Sequence, residues 1–107
     1  IVIAGGPACG ITQYAGAGKS LVCSISPLTD IPIDSNVGGF FGPLLKFSGW
    51  DALEIQGKAE KDIIIVIDGN KGVVTIEEAP FEALDGHILG EQLTEMYAEN
   101  EDDKRTG

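Results

Sequence analysis

The sequence predicts an α+β fold made mainly of β-sheet, with one or two short helices. Short apolar runs rich in Val and Ile alternate with turn residues along most of the chain, a pattern typical of strands. Only two segments have helical spacing. The chain has 107 residues, 15 of them glycine, and this length allows one domain with a single modest core.

The predicted strands are apolar runs that stop at turn-forming residues, and they cover residues 1–4, 21–26, 52–56, 63–67 and 73–76. The last two should form a hairpin around the Gly-, Asn- and Asp-rich turn between them. Five consecutive β-branched residues in 63–67 predict a strand that is buried on both faces or covered by another layer. Residues 26–36 are predicted to be loop. Because the chain opens on a core-like run without an initiator Met, we expect a fragment whose upstream strands are missing.

The two predicted helices differ in their end signals. Residues 40–49 place apolar side chains four apart, with Pro43 in the first turn and Gly49 suited to a C-terminal cap. Phe47 and Trp50 are favoured as core residues over a stacking platform. Residues 89–97 form an amphipathic pattern that is followed by a polar tail.

Charge and cysteine content exclude several functions. A formal net charge of -10 argues against nucleic-acid binding, which needs clustered Lys and Arg. No apolar run approaches the roughly 20 residues that span a membrane. Cys9 and Cys23 are too few for a disulfide scaffold and too far apart for a CxxC motif. We therefore expect a cytoplasmic protein with reduced thiols.

Two other features are weak candidates for a functional site. Residues 15–20 (AGAGKS) look like the end of a phosphate-binding P-loop, but Gln13 stands where the motif needs glycine and a strand-like run follows Ser20. A flexible glycine turn is the favoured interpretation. His87 has no second histidine to make a metal pair, so a surface or helix-entry position is favoured for it.

Residues 34–42 (DSNVGGFFG) form a stronger candidate site. Short polar side chains precede two glycines and a predicted helix start, where free backbone amides and the helix dipole attract anions. The alternative is N-capping of that helix by Ser35 or Asn36. The spacing leaves both interpretations open.

Three ordered motifs around this segment resemble the N-terminal domain of the tungsten-containing aldehyde ferredoxin oxidoreductase family. They are SPLT at 26–29, DSNVGGFFGPLLKFSGWDA at 34–52 and GKAEK at 57–61. The family reads SPLTG, DSNxGGxFGxELKxAGYDA and GKAEKP in the same order. The likeness extends from Ile1 to about Glu78. It departs from the pattern at Asp30, which replaces a glycine, at residues 44–46, where LLK replaces ELK, and in the 6–10 loop.

The resemblance implies a domain of layered β-sheets beneath a bis-pterin cofactor that carries tungsten or molybdenum. In the family the Asn and glycines of the SNxGG motif contact the pterin phosphates and an associated magnesium ion. The matching residues here are Asn36, Gly38 and Gly39. A family arginine that also holds the cofactor matches Lys19, which keeps the charge but loses the bidentate fork.

The resemblance also implies what this chain lacks. The [4Fe-4S] cluster ligands and the residues beside the metal belong to later domains of the full-length enzyme. That enzyme would oxidise aldehydes to carboxylic acids and pass electrons to ferredoxin. We expect residues 1–100 to be a partial pterin-binding domain and 101–107 a polar tail. The chain alone should be inactive, with no catalytic or metal-ligating residue of its own.

A non-enzymatic alternative remains open from the sequence. A stand-alone β domain would bind a partner, or associate with itself into a homo-oligomer, through exposed strand edges.

Overall fold

The computed structural model describes residues 1–80 and 85–106, and these confirm an α+β fold that consists mainly of sheet. In chain order the strands and helices are β1 (Val2–Gly5), β2 (Ser20–Ile25), β3 (Pro32–Val37), α1 (Phe41–Phe47), β4 (Ala52–Glu54), β5 (Ile63–Asp68), β6 (Val73–Glu78), α2 (Gly86–Tyr97) and α3 (Glu101–Thr106). The first four strands form one antiparallel sheet in the order β3-β2-β1-β4. Strands β5 and β6 form the predicted hairpin, a separate two-stranded sheet.

The prediction of a loop at residues 32–36 is wrong, because this segment is strand β3 at the edge of the main sheet. It pairs with β2 from Ser20 opposite Val37 to Ile25 opposite Pro32. All six β3 residues are exposed, so its Asp, Ser and Asn side chains face solvent and give the strand a loop-like composition. Proline is tolerated at the first position of an edge strand because its missing N–H is not needed for pairing.

The turn between β2 and β3 explains one departure from the family pattern. Asp30 has φ 54°, in the left-handed region that glycine adopts most easily. Asp is among the residues that tolerate this region. Two backbone bonds close the turn, from Ser26 N to Ile31 O at 2.9 Å and from Asp30 N to Ser26 O at 2.9 Å. The replacement of the family's glycine is therefore compatible with the turn.

Helix α1 ends as the sequence predicts. Gly49 has φ 91°, and its N–H donates to Lys46 O at 3.0 Å, while Trp50 N–H donates to Leu45 O at 3.1 Å. These two bonds form a Schellman motif, which satisfies the last carbonyls of the helix. Pro43 is the third helical residue, so its missing N–H costs no intrahelical bond.

Helices α2 and α3 begin at side-chain caps. Asp85 Oδ1 accepts hydrogen bonds from the backbone of His87 and Ile88, so α2 starts three residues before the predicted helix. Asn100 Oδ1 accepts from the backbone of residues 102 and 103 at 2.9 Å. Acids in the first turn of α3 and bases in its last turn favour the helix dipole. The predicted polar tail is therefore largely helical.

Polar contacts hold the hairpin turn and tie α2 to the hairpin. Asp68 Oδ1 accepts from Lys71 N at 3.0 Å, and its other oxygen accepts from Lys71 Nζ at 2.7 Å. The Lys71 side-chain hydrogen bond is the largest cause that lowers the pKa of Asp68. The Tyr97 hydroxyl donates to Glu77 at 2.9 Å, and this bond raises the pKa of Tyr97. Tyr97 therefore keeps its proton, and the link between α2 and β6, over the neutral pH range.

Few of the described side chains are buried. Leu45 and Cys9 are the buried hydrophobic residues in the part of the chain that the structure describes. The accessible surface is 8230 Å², whereas a compact monomer of 11.2 kDa would expose about 5,700 Å². Strand β5 is half-buried except for the exposed Ile63, and β6 is exposed. Of the two alternatives for residues 63–67, burial on both faces is therefore wrong, and cover by another layer stays a prediction. Phe47 and Trp50, expected in the core, are 62% and 45% exposed.

No helix among residues 1–80 and 85–106 has the length and apolar character needed to cross a membrane.

The hairpin lies against the end of α1 through Gly69. A Cβ added to Gly69 would lie 2.9 Å from Ser48 Cβ and 3.0 Å from Ser48 Cα. We expect Gly69→Ala to push the hairpin away from α1 and to cost about 1–3 kcal/mol, as overpacking typically does. Thermal denaturation of the full-length protein measures the effect. Gly90→Ala, at a helix position with no heavy atom within 4 Å of an added Cβ, should not destabilise the protein and is the control.

Candidate functional site

The ends of β2 and β3 bring Lys19 and Gly38 together. Ser20 pairs with Val37 at the last position of the ladder, so Lys19 and Gly38 are the next residues outward on neighbouring chain segments. A Cβ added to Gly38 would lie 3.8 Å from Lys19 Nζ. The ammonium group therefore lies directly beside the side-chain-free backbone of Gly38.

Asn36 lies on the same face of the sheet as Lys19 and Gly38. It pairs with Leu21, and because side chains alternate along a strand, Asn36 and Gly38 point to one side. Asn36 and Lys19 are then diagonal neighbours across the strand pair, about 7–8 Å apart between Cα atoms. Asn36, Lys19, Gly38 and Gly39 are all exposed. We call these four residues the glycine edge.

The backbone at Gly39 requires glycine. Its φ is 84°, in the left-handed region where a side chain would be strained. Its carbonyl oxygen would lie 3.3 Å from a Cβ added to Gly18, so the two glycines allow the 16–19 loop to approach the segment before α1. Within the described chain, the N–H groups of Gly38 and Gly39 donate to no protein acceptor. They are available to a ligand.

Lys19 is also electrostatically available. Most other cations are paired: Lys46 with Asp51, Lys61 with Glu78, Lys71 with Asp68, Lys104 with Glu95 and Arg105 with Asp102. Counting only residues 1–80 and 85–106, Lys19 and Lys58 have no carboxylate partner. In a chain of net charge -10, an unpaired ammonium beside free amides is a local attraction for anions.

Helix α1 contributes less to anion attraction at this site than the sequence predicts. The helix has seven residues, and its N-cap, Phe40, makes no side-chain cap hydrogen bond. Ser35 and Asn36 lie in β3, so the alternative that either of them caps this helix is wrong. The site therefore depends on Lys19 and the glycine backbone more than on the dipole of a two-turn helix.

The other candidates fall outside this site. Strand β2 begins at Ser20, directly after Lys19, so the helix that a P-loop requires is absent at that point and the glycine-turn interpretation is confirmed. His87 is exposed in the first turn of α2, as predicted. Cys9 is 7% exposed. Across the described ranges, no three His, Cys, Asp or Glu side chains converge in a way that could hold a metal ion.

The sequence does not predict that Cys9, Ser20 and Gly42 pack together beneath the glycine edge. Ser20 and Gly42 are buried. Cys9 packs against Gly5 of β1 and against Gly42 at the start of α1. The contacts of Gly42 with Cys9 and Ser20 join segments more than ten residues apart, and no local spacing signals such contacts. Nine of the 15 glycines lie in residues 1–50, and this excess is the local sign of tight turns or close approach there.

This sheet edge combines an unpaired cation, free amides and glycine backbone, an arrangement suited to anions, and comparison with known proteins shows the family of the chain. The family model described as aldehyde ferredoxin oxidoreductase, N-terminal domain, matches residues 1–105. The chain belongs to this family, which confirms the resemblance found in the sequence motifs.

Curated relatives agree with this assignment. The chain is 38% identical over 98 residues to a tungsten-containing aldehyde ferredoxin oxidoreductase of Pyrococcus furiosus, covering 92% of the chain and 15% of the relative. The protein of the same name from Thermococcus kodakarensis is 35% identical over 98 residues, with the same two coverages. That of Pyrococcus abyssi is 42% identical over 67 residues, 63% of the chain and 11% of the relative. The chain thus spans no more than about one sixth of the length of these relatives.

Proposed function

We propose that this chain is the cofactor-binding N-terminal part of an aldehyde ferredoxin oxidoreductase-like enzyme, with residues 1–100 as the binding domain. In this proposal the glycine edge binds the phosphate groups of a bis-pterin cofactor that carries tungsten or molybdenum. The observation that carries the proposal is the unpaired Lys19 ammonium beside Gly38, next to two free backbone amides.

The residues present fit a phosphate group. Phosphate needs positive charge and several N–H donors, and Lys is a common phosphate ligand that acts as a point charge. Glycine backbone lets such a group approach without a side chain in the way. Asn36 presents a side-chain amide whose nitrogen can donate a hydrogen bond to a phosphate oxygen.

The bound metal cofactor would supply the two-electron oxidation of an aldehyde to a carboxylic acid. The residues of this chain bind and orient the cofactor and offset part of its phosphate charge. We assign no catalytic or metal-ligating residue to the chain. The [4Fe-4S] cluster, and ferredoxin as the electron acceptor, belong in this proposal to the rest of the full-length enzyme, and the chain alone is inactive.

The rest of the enzyme is also the proposed partner of the exposed apolar surface. The chain exposes about 2,500 Å² more than a compact monomer of its mass would. Exposed apolar side chains include Ile25, Ile33, Phe47 and Ile76. Burial of such residues against further parts of the polypeptide would supply the core that this segment does not form.

Two free cysteines support the cytoplasmic location that we propose, where thiols stay reduced.

The alternative function, partner binding or self-association of a β domain, is favoured by one observation. Strand β3 is an exposed sheet edge whose Ile33 and Val37 are 48% and 41% exposed, and such edges pair readily with other strands. A full-length protein without tungsten, molybdenum or pterin that forms homo-oligomers through this edge would support the alternative over the enzyme.

Replacement of Asn36 tests the site. In the full-length protein we expect Asn36→Ala to weaken cofactor retention about tenfold, because a hydrogen bond to a charged group contributes about 1.5–3 kcal/mol. Bound tungsten and pterin are measured after anaerobic purification. Asn70→Ala removes the same amide from the hairpin turn and should leave both contents unchanged. Equal metal content in the Asn36→Ala and unsubstituted proteins would refute a role for Asn36.

A further inference from the structure

Three chain segments meet at one point beneath the glycine edge. Gly42, in the first turn of α1, packs against Ser20 at the start of β2 so closely that an added Cβ would overlap Ser20 Oγ. The same Cβ would lie 3.0 Å from Cys9 Sγ and 3.6 Å from Gly18 O. The loop after β1, the start of β2 and the start of α1 are therefore fixed against one another here.

Cys9 is held in this junction from its other side. A Cβ added to Gly5 would lie 3.0 Å from Cys9 Cβ and 3.1 Å from Cys9 Sγ. The loop around Cys9 is itself braced, since Cys9 N donates to Gly6 O at 2.9 Å and Gly10 N donates to Ala17 O at 2.8 Å. The backbone around this junction is therefore closely packed, and a small change in side-chain volume there shifts backbone rather than side-chain ends.

Ser20 is the unusual member of the junction. It is 2% exposed, and its hydroxyl has no hydrogen-bond partner within the described part of the chain. An unsatisfied buried hydroxyl is unfavourable by roughly 1–3 kcal/mol, so alanine would serve a purely structural role as well or better. A residue that is suboptimal for stability at a ligand site points to a role in function.

We infer that Ser20 is a positioning residue for the anion site, an inference that rests on the proposed function. Its Oγ occupies the space between β2 and Gly42, and so sets how far the Gly39–Gly42 backbone lies from the start of β2. Lys19 is the exposed neighbour of Ser20, and Gly38 and Gly39 directly precede Phe40, the N-cap of α1. The Ser20–Gly42 contact therefore fixes the separation between the ammonium group and the free amides that face the same ligand.

Ser20→Ala in the full-length protein separates positioning from stability. We expect the melting temperature to stay equal or rise, because an unpaired buried hydroxyl is removed. We expect tungsten to be lost about tenfold faster during anaerobic dialysis against excess inorganic phosphate, because small displacements of binding groups are costly. Ser24→Ala, an exposed serine of the same strand, should change neither value.

Each outcome decides the inference. A lower melting temperature for Ser20→Ala would make the hydroxyl structural, and an unchanged rate of tungsten loss would remove its positioning role; either result overturns the inference. Lys19→Ala, measured in parallel, distinguishes failure of the Ser20 inference from failure of the proposed function. If Lys19→Ala speeds tungsten loss and Ser20→Ala does not, only the inference fails. If neither does, the anion site itself is wrong.

Discussion

Lys19→Ala in the full-length protein is expected to remove most of the bound tungsten. The ammonium group lies beside Gly38 with no carboxylate partner in the described chain, so its charge is free to act on an anionic ligand. A charge-assisted hydrogen bond to phosphate is about twice as strong as a neutral one. We therefore expect at least a tenfold loss of cofactor retention, from about 1.4 kcal/mol or more of lost binding free energy. Metal analysis of anaerobically purified protein measures it.

Two further variants sharpen this test. Lys19→Arg keeps the charge and adds a bidentate fork, so it should retain tungsten at least as well as the unsubstituted protein. Lys71→Ala removes an equal charge from the hairpin turn, where its exposed ion pair with Asp68 contributes little, and should retain tungsten fully. If Lys19→Ala and Lys71→Ala lose equal amounts, or neither loses any, Lys19 does not bind the cofactor.

The second large effect concerns the 107-residue chain in isolation. We expect it to bind a hydrophobic dye such as ANS and to unfold without a sharp cooperative transition. The reason is that Leu45 and Cys9 are its buried hydrophobic residues within the described ranges, and a two-stranded sheet such as β5–β6 is at best marginally stable alone. Calorimetry and dye fluorescence on the isolated chain measure this.

The full-length protein is the comparison for the isolated chain. There the amides of β5 and β6 should be protected from hydrogen exchange, because covered strands open only with the global structure. A single cooperative transition of the isolated chain, with no dye binding, would show that this segment is an independent domain. That result would favour the stand-alone alternative.

Much of the fold could be predicted from local signals. Residues within a few positions of one another are enough to predict β1, β2, β4, β5 and β6, the hairpin turn, and the end of α1 at Gly49. Strand β3 could not be predicted in this way. It is held by pairing with β2 and has an exposed, polar composition, so its strand character is set by a neighbour and not by its own pattern.

The same division applies to the site. Asn36, Gly38 and Gly39 stand together in the sequence, and polar residues beside paired glycines were enough to suggest an anion site. Lys19 was tied to them by the resemblance alone, and its place beside Gly38 depends on the β2–β3 register. Ser20 and Gly42 each fall at the end of a candidate anion motif, but their contact with each other depends on packing that no local spacing shows. Exposed Phe47 and Trp50 were misassigned because apolar composition does not say which part of a protein covers a side chain.

The most direct test of the account is a crystal structure of the full-length protein with tungsten located by anomalous scattering. The account predicts a cofactor phosphate oxygen within about 3 Å of Lys19 Nζ, or of the amide nitrogens of Gly38 and Gly39. A cofactor whose phosphates lie elsewhere, with only solvent at the glycine edge, would contradict it.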